Sequence, residues 1–198
     1  MSLDLSRFQL EMADPVKGKL AMIVAATANG EIGYKGTIPW KLEGDLPRFK
    51  DLTTGNVIIS GRSTHESMPA VMVGRKRIVV TRSPEYASEV HDPENEIYGV
   101  SSVDEALELA RTFDTEWIFF VGGASIYEEA LDIVGTVFLT LVHKTAPKYD
   151  TVIKNFRLPQ DKWVRQHLRD VKESNPKAPE FQTPSHTYYT FERIEATE

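Results

Sequence analysis

Asp45 stands out for its neighbours. Leu42, Asp45, Leu46, Phe49 and Leu52 recur at helical spacing, so one carboxylate shares a face with four apolar side chains. Two roles are open to it. It can cap the helix that Pro47 helps to start, or it can be a lone acid in an apolar pocket, placed to bind or protonate a nitrogen heterocycle. Burial would raise the pKa of such an acid, and the positive end of the helix would lower it.

Two further segments could hold an anion. In one, Val57-Ile58-Ile59-Ser60 runs into Gly61-Arg62, and Ser63 with Glu66 has the spacing of a capping box. In the other, Trp117–Val121 ends in Gly122-Gly123 before Ala124, Ser125, Ile126 and Tyr127, which lets backbone N–H groups approach a ligand closely. Each junction also fits an ordinary helix start after a strand. Together with basic residues at Arg62 and Arg82 that have no assigned partner, they suit a dinucleotide carrying a pyrophosphate and a 2′-phosphate. Neither G-x-G-x-x-G nor G-x-x-x-x-G-K-[ST] occurs, which disfavours the standard Rossmann and P-loop solutions. Gly74-Arg75-Lys76-Arg77 is either a solvated strand edge or, through the Arg75 fork, an anchor for a substrate carboxylate. The five histidines lack metal-ligand spacing, so no metal is expected. No G-x-S-x-G elbow supports a serine hydrolase.

These residues need a scaffold. Apolar runs at Leu20–Ala26, Val57–Ile59, Arg77–Thr81 and Trp117–Val121 suit strands buried on both faces. Val103, Ala106, Leu107 and Ala110 form a helical stripe behind Ser101-Ser102, and Ser125–Leu131 forms a second. This alternation predicts parallel pairing. Thr136–Val142 reads as another strand, and Trp163–Val171 with His186–Ile194 as a closing antiparallel hairpin. The expected fold is α/β, a three-layer sandwich with a central, mostly parallel sheet and an antiparallel C-terminal edge.

The chain has 198 residues, no cysteine and a formal net charge of −6. That length matches about one domain with a substantial core, here residues 19–198 behind an N-terminal extension, 1–18. The missing cysteines remove disulfides, thiolate metal sites and thiol nucleophiles, and point to the cytoplasm. An acidic chain without a basic run should repel nucleic acid and anionic membranes, so any anion must bind in a local pocket. Asp4, Arg7 and Glu11 interrupt the N-terminal apolar residues, so no signal peptide is expected. The apolar runs are also far shorter than the roughly 18 residues of a membrane span.

From about Lys19 to Ile194 the chain resembles the dihydrofolate reductases. The resemblance rests on an ordered set: Ala25-Ala26, Ile32-Gly33, Ile38-Pro39-Trp40, Asp45-Leu46, Phe49-Lys50, Gly61-Arg62-x-Thr64-x-Glu66-Ser67, Gly74-Arg75-Lys76, Val121-Gly122-Gly123, Tyr127 and Leu139-Thr140. It implies that NADPH delivers a hydride to C6 of 7,8-dihydrofolate. Asp45 would bind the pterin N3 and 2-amino group and promote protonation at N5, supported by the Thr140 hydroxyl and by a water held near Trp40. Val24, Ala25, Ala26, Leu46, Phe49, Met68, Val121 and Tyr127 would contact the substrate, with Arg75 on its glutamate α-carboxylate.

For the cofactor, the resemblance implies Gly61, Arg62, Ser63 and Thr64 in one phosphate-binding turn and Gly122, Gly123, Ala124, Ser125 and Ile126 in the other, with a cis Gly122–Gly123 peptide. Thr81, Arg82 and Ser83 would lie by the adenine ribose, and Ala26, Ile32, Gly33 and Ile38 near the nicotinamide. The loop Ile32–Trp40 would be a mobile flap. Three positions depart from the family pattern: Ile38 stands where Leu or Met is common, His65 replaces an aromatic residue, and Ser125 replaces a frequent Arg. A monomer acting on a small molecule is expected. Two alternatives share the fold: the pyrimidine reductase of riboflavin synthesis, which would not use the Asp45–Trp40 pair, and a catalytically silent NADPH- or pterin-binding module, which would have lost the acid.

Overall fold

Side chains alternate across a strand, so a strand covered on both faces must be apolar throughout. The strand β1 (Lys19–Thr27) follows this rule. Met22, Val24 and Ala26 enter one hydrophobic cluster, while Ala21 and Ile23 enter another on the opposite face. The computed structural model describes residues 18–144, 148–172 and 183–194. All but Gly18 of the expected N-terminal extension, and most of the Glu173–Ser185 connection, lie outside the described residues.

Around β1 the chain builds β2 (Glu31–Gly33), β3 (Val57–Gly61), β4 (Lys76–Val80), β5 (Ile97–Val100), β6 (Trp117–Phe120), β7 (Thr136–Val142), β8 (Thr151–Val152), β9 (Trp163–Val171) and β10 (His186–Arg193). Eight of these form one sheet in the order β5-β4-β3-β6-β1-β7-β10-β9, and β2 pairs with β8 separately. Pairing is parallel from β5 to β7, and β10 runs antiparallel to both β7 and β9. The expected mostly parallel sheet with an antiparallel C-terminal edge is therefore present.

Helices α1 (Asp45–Thr53), α2 (Arg62–Ser67), α3 (Pro84–Val90), α4 (Val103–Ala110) and α5 (Ala124–Ala130) complete the layers. Buried side chains of α4 and α5 belong to the larger cluster, and Phe49 and Leu52 of α1 pack against the smaller, so the sheet is covered on both faces. Helix α4 obeys its sequence pattern: Val103, Ala106, Leu107 and Ala110 are buried, and the Ser102 hydroxyl accepts the Glu105 N–H at 3.1 Å.

Two helix starts differ from their sequence reading. Gly44, at φ 81°, is the N-cap of α1, so Asp45 is the first helical residue rather than the cap. Pro47 is tolerated because the first-turn N–H groups have no intrahelical acceptor. In α2 the N-cap is Gly61, which puts Ser63 inside the helix and removes the expected capping box. Glu66 instead accepts the Arg62 Nε–H at 2.9 Å.

Candidate active site

Parallel pairing sets Ala25 of β1 opposite Thr140 of β7, and the start of α1 lies over the same place. There the Thr140 hydroxyl, almost fully buried, donates to Asp45 Oδ1 at 2.7 Å. A side-chain acceptor held this way has lost the freedom of a surface carboxylate. Residues Asp45, Leu46 and Phe49 then form one wall of a cleft of about 1190 Å³, with Leu46 71% exposed at its lip. The helical stripe read from the sequence therefore divides between cleft and core, and Leu42 falls before the helix.

The opposite wall comes from the two Gly junctions, joined by Gly61 N–H donating to the Gly122 carbonyl at 2.7 Å. The Gly122–Gly123 peptide is cis, and Gly122 has φ 117°. A Cβ on Gly122 would meet the Tyr127 ring at 3.2 Å and Thr64 Oγ1 at 3.3 Å, and one on Gly123 would also crowd Thr64. A side chain at these positions would press on residues of α2 and α5. Tyr127 closes the cradle from below: its buried hydroxyl donates to the Ile23 carbonyl at 2.9 Å, and burial pushes its pKa up.

Arg62 and Arg82 both line the cleft. Contrary to the sequence reading, Arg62 is paired: besides its bond to Glu66, its guanidinium lies 4.0 Å from the Tyr86 ring centroid. The Glu66 hydrogen bond raises its pKa, so it stays cationic. Hydroxyls of Ser63, Thr64, Thr81, Ser83, Ser101 and Ser102 extend along the same wall. Gly33, Gly36, Thr37 and Ile38 carry the lining onto the loop after β2. Lys35 N–H donates to Asp150 Oδ2 at 2.8 Å, Asp150 N–H donates to the Gly33 carbonyl at 3.1 Å, and β2–β8 pairing continues the attachment.

Comparison with known proteins gives this arrangement a family. A family model described as dihydrofolate reductase matches residues 19–192. This chain belongs to the dihydrofolate reductase family. Among its relatives is dihydrofolate reductase type 8 of Escherichia coli, 34% identical over 182 residues that span 91% of this chain and 99% of that protein. Dihydrofolate reductase of Candida albicans is 32% identical over 169 residues, 79% of this chain and 85% of the relative. A solved dihydrofolate reductase from Enterococcus faecalis, complexed with NADP(H) and RAB-propyl, superposes with a TM-score of 0.69 at 27% identity, covering 90% of this chain and 98% of that one.

As a dihydrofolate reductase family member, the chain brings most of its expected site residues to one cleft. Val24, Ala25, Asp45, Leu46, Phe49, Met68, Val121 and Tyr127 line it, as do Ile32, Gly33, Ile38, Gly61, Arg62, Ser63, Thr64, Thr81, Arg82, Ser83, Gly122, Gly123, Ala124, Ser125 and Ile126. Ala26, Trp40, Thr140 and Arg75 are not part of that lining. Thr140 reaches the cleft through Asp45, and Ala26 packs in the larger core cluster. Trp40 Nε1 is buried and has no partner among the described residues.

Arg75 and Arg77 are buried, so this is not a solvated edge. Arg77 serves the backbone, donating to the Pro69 and Ala70 carbonyls at 3.2 and 2.6 Å. Arg75 donates Nη1 to Thr53 Oγ1 at 3.4 Å, while its Nε has no partner among the described residues. Sequence reasoning missed several cleft residues, among them Thr37, Met72, Ser101 and Ser102. It also missed Arg48, whose guanidinium reaches the Thr140 hydroxyl at 3.3 Å. The signal was present: Arg48 is three residues after Asp45, on the same helical face.

Proposed function

We infer that this chain reduces 7,8-dihydrofolate to 5,6,7,8-tetrahydrofolate with NADPH, and we propose that Asp45 handles the proton. The supporting observation is the Thr140–Asp45 hydrogen bond, which presents a carboxylate in fixed orientation at an apolar cleft wall. Its oxygens can accept a paired hydrogen bond from the pterin N3–H and 2-amino group, and low local dielectric strengthens that bond. So bound, the ring is oriented for protonation at N5, and the buried Trp40 N–H is a donor suited to holding a water beside the acid.

NADPH, when bound, supplies the hydride for C6. The chain's own residues fit such a dinucleotide. Without Cβ atoms on Gly122 and Gly123 to crowd Thr64, the backbone of both junctions stays open to a phosphate in the cleft. Arg62 and Arg82 offer cations for a 2′-phosphate, and the flap Ile32–Trp40 closes over the nicotinamide end to exclude water. Phe49 and Met68 pack beside the pterin and benzoyl portion, and Arg75, whose Nε has no partner among the described residues, clasps the glutamate α-carboxylate. A cytoplasmic monomer completes the reading; its assembly is checked by light scattering.

The test follows the decay of NADPH absorbance with dihydrofolate, with and without methotrexate, in the protein and in Asp45→Asn. Methotrexate-sensitive decay is expected, lowered about 100-fold or more in the variant. No decay at any pH would sink the assigned reaction, and a fully active Asn variant would remove Asp45 from it. In Arg75→Ala the KM for dihydrofolate should rise; an unchanged KM refutes that role.

A further inference from the structure

Arg48 is a charged side chain that the proposed chemistry does not use. It lies one turn after Asp45 on α1, half-buried beneath the β7–β10 pair. Its Nη1 donates to Thr140 Oγ1 at 3.3 Å, and its Nη2 donates to the Tyr189 carbonyl at 3.4 Å. The guanidinium lies 4.8 Å from the Tyr188 ring centroid and 5.9 Å from that of Phe138. Two rings, a carbonyl and a hydroxyl thus hold one planar cation in a single orientation. Burial lowers its pKa, yet a guanidinium stays protonated.

The hydroxyl between Arg48 and Asp45 explains why this matters. Threonine has one O–H proton and two lone pairs, and nothing intrinsic to it selects the direction of that proton. A donor on the Arg48 side occupies a lone pair, so the proton turns to Asp45 Oδ1, where the bond is 2.7 Å. We propose that Arg48 is a positioning residue for the proton-handling acid: it locks the Thr140 hydroxyl onto Asp45 and sets a fixed cation beside that acid. This rests on the reading of Asp45 above.

The other groups around the carboxylate do not supply that charge. Tyr127 of α5 and Tyr188 of β10 both face Asp45, and burial keeps both phenols protonated. The Tyr188 hydroxyl donates to the Glu43 carbonyl at 2.8 Å and lies 3.2 Å from His186 Nε2, which is itself 3.2 Å from that carbonyl. Glu43, before α1, and Arg169, on β9, both act on Tyr188. Arg48 is therefore the cation whose field acts on the carboxylate.

The experiment measures kcat and KM across pH for the intact chain, Arg48→Met, Thr140→Val, the double variant and Asp45→Asn. Arg48→Met is expected to lower kcat about tenfold and leave the cofactor KM in place. The pH profile of kcat should move to higher pH, because a cation beside the acid is gone. Adding Arg48→Met to Thr140→Val should cost no more than about twofold further, because both break one relay. Additive losses, or an unmoved pH profile, overturn the proposal. If Arg48→Met loses its thermal transition, Arg48→Lys carries the test: the charge remains but one ammonium cannot serve both Thr140 and Tyr189, so kcat falls severalfold while the profile stays. A wild-type kcat there overturns the proposal equally. The two readings fail separately: an active Asp45→Asn removes the acid itself, whereas an inactive Asp45→Asn beside a wild-type-like Arg48→Met removes the relay alone.

Discussion

Arg62 has two claims on it, the Glu66 carboxylate and an anion in the cleft. The pair is half exposed, 51% and 47%, where an ion pair contributes little to stability. Glu66 holds Nε, which leaves the Nη groups for an anion in the cleft that Arg62 lines. Glu66→Gln should therefore change stability little and raise NADPH affinity severalfold, whereas Arg62→Ala should lower it about tenfold, both read from titration of cofactor fluorescence. Equal affinities for all three proteins would remove Arg62 from the cofactor site. Next to it, His65 carries a linkage of definite sign. Burial first, then the nearby Arg77 cation, lowers its pKa below 6.5. The folded state therefore binds fewer protons than the unfolded chain, and stability falls as pH drops through the window from 6.5 down to the lowered folded pKa. His65→Phe should flatten that decline in urea midpoints taken between about pH 5 and pH 7.5; an undiminished slope would assign it to other groups.

At the scale of elements, the flap is tied to β8 by few bonds, and Asp150 provides the central one. Its Oδ2 accepts the Lys35 N–H and its Oδ1 accepts the Thr151 hydroxyl at 2.8 Å. The Lys35 bond, then the Thr151 bond, hold the Asp150 carboxyl below its ordinary pKa. The tie is thus present at neutral pH and is lost as pH falls through that lowered pKa. Asp150→Ala should speed hydrogen exchange at the Lys35 amide and the release of NADPH, with little change in melting temperature. Unchanged exchange would mean the flap is held elsewhere. Such a tie spans 115 residues of sequence, which is why no local pattern announces it. By contrast, α4 was legible because its stripe and its Ser102 cap are contiguous, and β7 because Thr136–Val142 is apolar along a buried strand. Strand β5 escaped notice: four residues interrupted by Gly99 carry too little periodicity. The same contrast holds in the site. Asp45 was visible as a carboxylate in an apolar stripe, but its Gly44 cap, its Thr140 partner and the Arg48 contact depend on backbone geometry and on strand order.

For the whole molecule, the charge total and the cleft make opposite demands. A net charge of −6 repels polyanions at long range, yet Arg62 and Arg82 face a cleft whose wall is drawn from β3–α2, the end of β4, and β6–α5. Beyond about 8 Å, physiological salt screens the surface total, so a ligand inside the cleft senses chiefly the local cations. A dinucleotide seated there spans loops that follow three neighbouring parallel strands, and it binds only when those loops keep their folded positions. Mass action then converts affinity into stability: NADPH at 100 times its dissociation constant stabilises by about 2.7 kcal/mol. For a domain this size that is a rise of about 5–10 °C in melting temperature. NADH lacks the 2′-phosphate and should give a smaller rise. In Arg82→Ala the NADPH rise should shrink towards the NADH value while the NADH rise and the ligand-free transition stay in place, because the side chain is exposed and only the 2′-phosphate needs it. Differential scanning at matched cofactor concentrations decides it: equal losses for both cofactors would mean Arg82 reads the shared part of the dinucleotide, and no loss would take it out of the site.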